Sequence, residues 1–249
     1  MNKLFEINDL TVEYNKGSFK ALDHVNLHLK KGEILGILGE SGGGKSTLAN
    51  SMTFLNEKYT GEILYKGKDI KSFNSRERKI FSKEVQLIFQ DPYSSLNPKM
   101  KLKELILEGA FIHKLILKNA FNGFVKKLLN KVGLKEDYLE RYPRELSGGE
   151  RQKVAIARAL ALFPDVIIFD EATANLDLVS QREILNIILE LQKSGVTCVV
   201  ISHNLPLINI ISDRVIVINK GIIVEEGKTE EVFSSPQSGY LKETINNKI

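Results

Sequence analysis

The run Gly39-Glu40-Ser41-Gly42-Gly43-Gly44-Lys45-Ser46-Thr47 constrains this chain more than any other stretch. It matches G-x-x-x-x-G-K-[ST] in full, between an apolar run at 33–38 and a helical pattern carried by Leu48, Met52 and Leu55. A strand that leads into a glycine loop opening a helix is the context in which this pattern means phosphate binding. The glycines let backbone N–H groups curl round phosphate oxygens, and the helix points its positive end at them. Lys45 is placed to reach the β- and γ-phosphates of a nucleotide, and the Ser46 hydroxyl to ligate Mg²⁺. The alternative is a flexible glycine loop without a ligand, and the strand and helix flanks argue against it.

The rest of the chain supplies an architecture for such a loop. Residues 4–14 and 21–30 alternate apolar and polar side chains, with Lys16-Gly17-Ser18 as the turn between them. Residues 61–65 and Asp69-Ile70 flank Lys66-Gly67-Lys68 as a hairpin, and 85–89 read as a short buried strand. From about Pro92 to Glu145 the character is helical, with Val125, Leu128, Leu129 and Val132 forming one amphipathic stripe. Strand-like runs return at 166–169, 196–201 and 215–218, and Ile184, Ile187, Ile188 and Leu191 mark a helix among them. Buried strands alternating with helices predict an α/β fold with a mainly parallel sheet covered on both faces. The helical stretch then reads as an insertion into one α/β unit. One domain is expected over 1–249, with 1–91 and 150–249 as the core and 92–149 as the helical part.

Composition excludes several classes. A net charge of +4 over 249 residues does not call for nucleic acid. The local excess of lysine between Lys99 and Lys131 reads as a solvated helical face, the sharper alternative being a surface for anionic lipid or an acidic partner loop. The single cysteine, Cys198, lies in an apolar run and reads as a small buried hydrophobe in a reducing cytosol. No secretory leader is expected, since polar Asn8 and Asp9 arrive early, and no apolar stretch approaches the ~18 residues that span a bilayer. A membrane role has to be borrowed from partners.

Two further motifs carry chemistry. The strand-like run ending Phe169-Asp170-Glu171 places Asp170 to hold the Mg²⁺ shell and Glu171 to polarise the attacking water as general base. Leu146-Ser147-Gly148-Gly149-Glu150 precedes a helical run, so a serine hydroxyl and glycine N–H groups stand at a helix N-terminus, a second anion site.

With this motif the chain resembles the ATPases of ABC transporters, and the likeness extends over nearly its whole length. The resemblance implies a P-loop NTPase (RecA-like) core with an antiparallel β subdomain and an inserted helical subdomain. It implies that ATP is sandwiched between the phosphate loop of one subunit and the signature loop, Ser147 to Glu150, of a second ATPase subunit. Tyr14 resembles the aromatic that stacks on adenine, and Gln90 the glutamine that senses Mg²⁺ and links the site to the helical region. Asn175-Leu176-Asp177 resembles the loop that crosses to the partner, and His203 the switch histidine at the γ-phosphate. Three departures stand out: Glu150 where Gln is commoner, Ala172 where Pro often follows the catalytic glutamate, and Asn175 in place of a small residue.

The run from Gln90 to Pro98 is similar to the segment found in importers of peptides, nickel and metal chelates. Such systems imply a related, non-identical ATPase partner, two transmembrane permeases and an extracytoplasmic solute-binding protein, with this chain on the cytoplasmic face of the membrane. An ending at Ile249 and the run from Asp170 to Asp177 lean slightly towards nickel or metal-chelate members. An exporter ATPase and a non-transport ABC ATPase are the alternatives. Neither two ATPase units nor a coiled-coil insertion accompanies the motifs, which disfavours the second.

Overall fold

The computed structural model describes residues 3–14 and 19–248, and the expected turn at Lys16-Gly17-Ser18 lies outside them. Among the described residues the strands make two sheets. Strands β1 (Lys3–Tyr14), β2 (Phe19–Lys30), β4 (Thr60–Tyr65) and β5 (Lys68–Asp69) form an antiparallel sheet in the order β2-β1-β4-β5. Strands β3 (Ile34–Leu38), β6 (Val85–Ile88), β7 (Val166–Asp170), β8 (Thr197–Ser202), β9 (Arg214–Asn219) and β10 (Ile222–Lys228) form the second, in the order β10-β9-β3-β8-β7-β6. Its strands run parallel except β10, which pairs antiparallel with β9.

Strands β3, β7 and β8 are buried along their whole length, which is why they read as continuous apolar runs rather than as alternation. The period of two still sorts their side chains. Leu35, Ile37, Val166, Ile168, Val199 and Ile201 face the antiparallel sheet together with Leu48 and Met52, while Ile167, Phe169, Cys198 and Val200 face the helical layer. Burial alone pushes the Cys198 thiol up to about 12, so it is an inert core group.

Ten α-helices lie among the described residues: α1 (Lys45–Met52), α2 (Ser75–Glu84), α3 (Pro92–Ser95), α4 (Leu102–Ile112), α5 (Phe121–Lys131), α6 (Gly148–Leu160), α7 (Leu178–Lys193), α8 (Leu205–Ile211), α9 (Thr229–Ser234) and α10 (Gly239–Lys248). The expected stripes on α5 and α7 are buried, and α4 packs so closely that a Cβ on Gly109 would stand 2.9 Å from Leu162. Lys101 and Lys126, from the lysine-rich stretch, pair at the surface with Glu140 and Glu136, as a solvated face does.

One local expectation needs correcting, and one helix was not foreseen. Helix α1 stops at Met52, and Phe54 turns the chain away with φ 66°, leaving Leu55 at 62% exposure; its helical spacing is coincidental. Helix α2 is not announced by apolar periodicity because Phe81 alone is buried on it. Its signal is the capping box, in which Asn74 accepts from the N–H groups of Arg76 and Glu77 while Glu77 accepts from Asn74. No helix among the described residues is long and apolar enough to cross a membrane.

Candidate functional site

The site grows from the carboxyl ends of three neighbouring strands. β3 pairs with β8 and β8 with β7 in a register that sets Leu38 beside Ser202 and Asp170 beside Ile201. The residues that follow each strand therefore emerge together, in the crevice where open α/β sheets bind ligands. The phosphate loop follows β3, Glu171 follows β7, and His203 follows β8.

Sterics dictate the loop's glycines. A Cβ on Gly39 would lie 2.2 Å from the carbonyl oxygen of Ile218. Gly44 adopts φ 104° as it opens α1, and a Cβ there would meet the Ala21 oxygen at 2.2 Å. Lys45 begins the helix almost fully buried, its Nζ donating to the carbonyls of Gly39 at 2.9 Å and Glu40 at 2.7 Å. Burial lowers the Lys45 pKa, and the carboxylates of Glu171 and Asp170 oppose that shift.

Glu171 takes a left-handed conformation, φ 49°, with its N–H bonded to the Ile201 carbonyl. Such a φ is uncommon outside glycine and is held here by the flanking strands. It sets Oε1 3.7 Å from Lys45 Nζ and Oε2 3.4 Å from His203 Nδ1. Asp170 is buried, and its Oδ1 has no hydrogen-bond partner. Burial raises its pKa, with the Ser46 hydroxyl, hydrogen-bonded to the carboxylate, as the main opposing influence. A buried carboxylate oxygen left unsatisfied beside a serine hydroxyl is a donor set that fits a hard cation.

A cleft of about 340 Å³ brings together nine of the expected residues. Tyr14, Ser41, Gly42, Gly44, Lys45, Ser46, Thr47, Gln90 and Glu171 line it. Gly39, Glu40 and Gly43 form the back of the loop, where Gly43 N–H bonds the Glu40 carbonyl. Phe19 and Ala21 also line the cleft, and neither is singled out by the sequence motifs. The missed signal is register: Phe19 is the cross-strand partner of Tyr14, so two half-exposed aromatics flank the mouth.

Ser147, Gly148, Gly149, Glu150 and Asp177 do not line this cleft. Ser147 caps α6 and Asp177 caps α7, each accepting from backbone N–H groups of its own helix. The Glu150 carboxylate closes the first cap by accepting from the N–H and hydroxyl of Ser147, and it also accepts from the Tyr138 hydroxyl. That gives Glu150 a structural reason in this chain, and the Tyr138 bond leads the interactions that lower its pKa. The two capped ends touch. A Cβ on Gly149 would fall 2.4 Å from the Ser180 hydroxyl and one on Gly148 3.3 Å from Leu176, so both loops share one surface patch. Asn175 is left-handed at φ 61°, a conformation that asparagine tolerates better than most residues, which accounts for that departure. Ala172 is buried, and nothing here explains the absence of proline.

The segment after Gln90 is tied to the same helix. Asp91 caps α3, Arg158 of α6 donates to the Ser95 carbonyl at 2.7 Å, and the Arg151 guanidinium lies over the Tyr93 ring. The segment that follows a residue lining the cleft is thus tied to the helix that Ser147 caps.

The family model described as ABC transporter matches residues 22–174. The oligopeptide transport ATP-binding protein OppF of Bacillus subtilis is 41% identical, across 98% of this chain and 82% of its own length. OppF of Streptococcus mutans is 40% identical over 98% and 81%, and the dipeptide transport ATP-binding protein DppF of Lactococcus lactis 38% over the same shares. Among solved structures, the ATP-binding cassette MJ0796, a dimer bound to ADP and Pi in a post-hydrolysis state, superposes with a TM-score of 0.82 at 28% identity, covering 90% of this chain and 98% of that one. The loop, the acid pair and these likenesses agree: this chain belongs to the ABC transporter family, as an ATP-binding subunit that hydrolyses ATP to drive transport.

Proposed function

We propose that the chain is the ATPase motor of a peptide importer, working as half of an ATPase pair on the cytoplasmic face of the membrane. The observation that carries this reading is the single cleft joining Tyr14, the phosphate loop, Gln90 and Glu171. In it Tyr14 stacks on the adenine, residues 39–47 wrap the phosphates with Lys45 at the β- and γ-phosphates, and Glu171 takes the proton of the attacking water. His203, beside Glu171, holds the γ-phosphate. Ser46, Asp170 and Gln90 are the residues that would hold Mg²⁺. The ion supplies charge neutralisation at the transferred phosphoryl group.

Ser147 to Glu150 and Asp177 lie outside the cleft yet share one patch, which supports a role in completing the pocket of the second ATPase subunit. Closure on two ATP molecules then acts through tighter ATP binding to the closed pair. Residues 92–149 serve as the helical arm that transmits closure to two permeases, and 1–91 with 150–249 as the nucleotide-binding core. A related ATPase chain and an extracytoplasmic solute-binding protein complete the assembly. Peptides are preferred over nickel or metal chelates because the relatives named above are peptide transport proteins. The test is reconstitution with its permeases and solute-binding protein. ATP hydrolysis stimulated by peptide is expected; hydrolysis stimulated by nickel or a chelate but by no peptide refutes the cargo.

A further inference from the structure

The Ser147 hydroxyl has a single hydrogen, and it gives that hydrogen to Glu150. Its Oγ donates to Glu150 Oε2 at 2.9 Å while accepting from the Glu150 N–H at 3.3 Å. A phosphate oxygen that reaches Ser147 needs the same hydrogen, so the strength of Glu150 as an acceptor sets how readily the serine releases it. We propose that Tyr138 is a positioning residue for the signature loop, its hydroxyl holding and weakening the Glu150 carboxylate so that Ser147 can turn to the phosphate of a second subunit's ATP. The proposal rests on the reading of Ser147 to Glu150 as the part that completes that subunit's pocket.

The geometry divides the carboxylate between two residues. Tyr138 lies in the 3₁₀ turn Glu136–Glu140, half-buried against the core of the helical layer. Its hydroxyl donates to Glu150 Oε1 at 2.5 Å, the length of a charge-assisted bond to an ionised oxygen. Oε2 takes both bonds from Ser147, the N–H at 2.8 Å and the hydroxyl at 2.9 Å.

The tyrosine is itself held in place. The Arg141 guanidinium covers its ring 3.8 Å from the centroid and is fixed by Asp137 at 2.5 Å. The Leu102 N–H donates to the Arg141 carbonyl at 2.9 Å, and Lys101 Nζ donates to Glu140 at 2.6 Å. The turn is therefore anchored to the start of α4, and the hydroxyl is offered from a fixed base.

Two effects on Ser147 follow. A strong donor at Oε1 draws the carboxylate's charge towards itself and leaves Oε2 the poorer acceptor. The same bond keeps the charge on the Tyr138 side. Without it, Glu150 grips the serine hydrogen harder and presents more of its charge to an arriving phosphate, which it repels. A neutral side chain at 150 has neither property, so the need for Tyr138 is tied to the charge of Glu150.

The experiment is steady-state ATP hydrolysis by the assembled transporter carrying Tyr138→Phe, Glu150→Gln or both. Tyr138→Phe keeps the ring and loses only the hydroxyl. It is expected to lower kcat/KM for ATP about five-fold, the effect of one ordinary hydrogen bond. In the Glu150→Gln background the same change is expected to cost less than about two-fold, because the charge it manages is gone. ATP binding by the purified chain alone should not change in Tyr138→Phe, since Tyr138 does not line the chain's own cleft. The thermal midpoint does not separate the readings, because a lost hydrogen bond lowers it in either case; the comparison of backgrounds does. The proposal is overturned if Tyr138→Phe hydrolyses ATP like wild type, if it costs the same with glutamate as with glutamine at 150, or if it weakens ATP binding by the chain alone. Failure of the signature-loop reading looks different: Ser147→Ala then hydrolyses ATP like wild type in the assembled transporter, whatever Tyr138→Phe does.

Discussion

The ammonium of Lys45 lies 3.7 Å from one carboxylate oxygen of Glu171, with the two side chains only 4% and 14% exposed. The other oxygen of Glu171 faces His203 Nδ1 at 3.4 Å. On the proposed roles, a γ-phosphate arriving at Lys45 would compete with Glu171 for it and leave the carboxylate to its neighbours and to water. Binding and base chemistry are thereby separable in these two residues.

Glu171→Gln keeps the shape of the side chain but cannot take a proton. Turnover is expected to fall by ~10²–10⁴, the usual contribution of a general base. ATP affinity should hold or rise, since Lys45 loses a competitor. Phosphate release in the assembled transporter, measured beside nucleotide binding, checks both halves. Lys45→Ala should do the reverse and weaken binding itself.

Asp170 carries a prediction about pH. Its folded-state pKa is raised by burial, so the ionised form costs stability. Below the ordinary carboxylate pKa the group is protonated folded or unfolded, and the cost is absent; it grows as pH rises and is complete above the folded pKa. Asp170→Asn should therefore raise Tm at neutral pH by on the order of 2–4 °C, as ~1 kcal/mol does in a chain of this size. The advantage should vanish towards acid, and ATPase activity should be lost throughout. Thermal melts across pH of both proteins decide it; a lower Tm for the variant at neutral pH contradicts the account.

Phe19 lines the cleft opposite Tyr14. Stacking on a base is worth ~1–3 kcal/mol per aromatic, so Phe19→Ala should weaken ATP binding at least about five-fold. Calorimetric titration with ATP and with triphosphate separates the base from the phosphates: affinity for triphosphate should not change.

At the start of α6, Glu150→Gln preserves an acceptor for Ser147, whereas Glu150→Ala opens the capping box. The alanine variant should lose ~1 kcal/mol, a drop of roughly 2–4 °C in Tm, and the glutamine variant much less. Equal losses would mean that the carboxylate does not act as a cap.

Much of this was readable one residue after another. The phosphate loop, the acid pair after β7 and the buried stripes of α5 and α7 each depend on neighbours within a turn or a strand, where spacing reports geometry directly. Helix α2 was hidden because it buries one side chain, and the end of α1 because Leu55 kept the spacing after Phe54 had broken the helix. The roles of Ser147 and Asp177 as helix caps were equally local, yet the motifs drew attention to their chemistry rather than to their backbone partners.

Residue order thus established the glycine loop that opens α1, the acids that follow β7 and the alternation of strand and helix, because those follow from steric and hydrogen-bonding preferences a few residues long. It could not say that Phe19 would face Tyr14 or that Glu171 would sit between Lys45 and His203. The first pair meets through the β1–β2 pairing of the antiparallel sheet, and the others through the order β3-β8-β7 of the parallel one. That order follows from burying apolar faces contributed by the whole chain, a cooperative outcome that no single segment encodes.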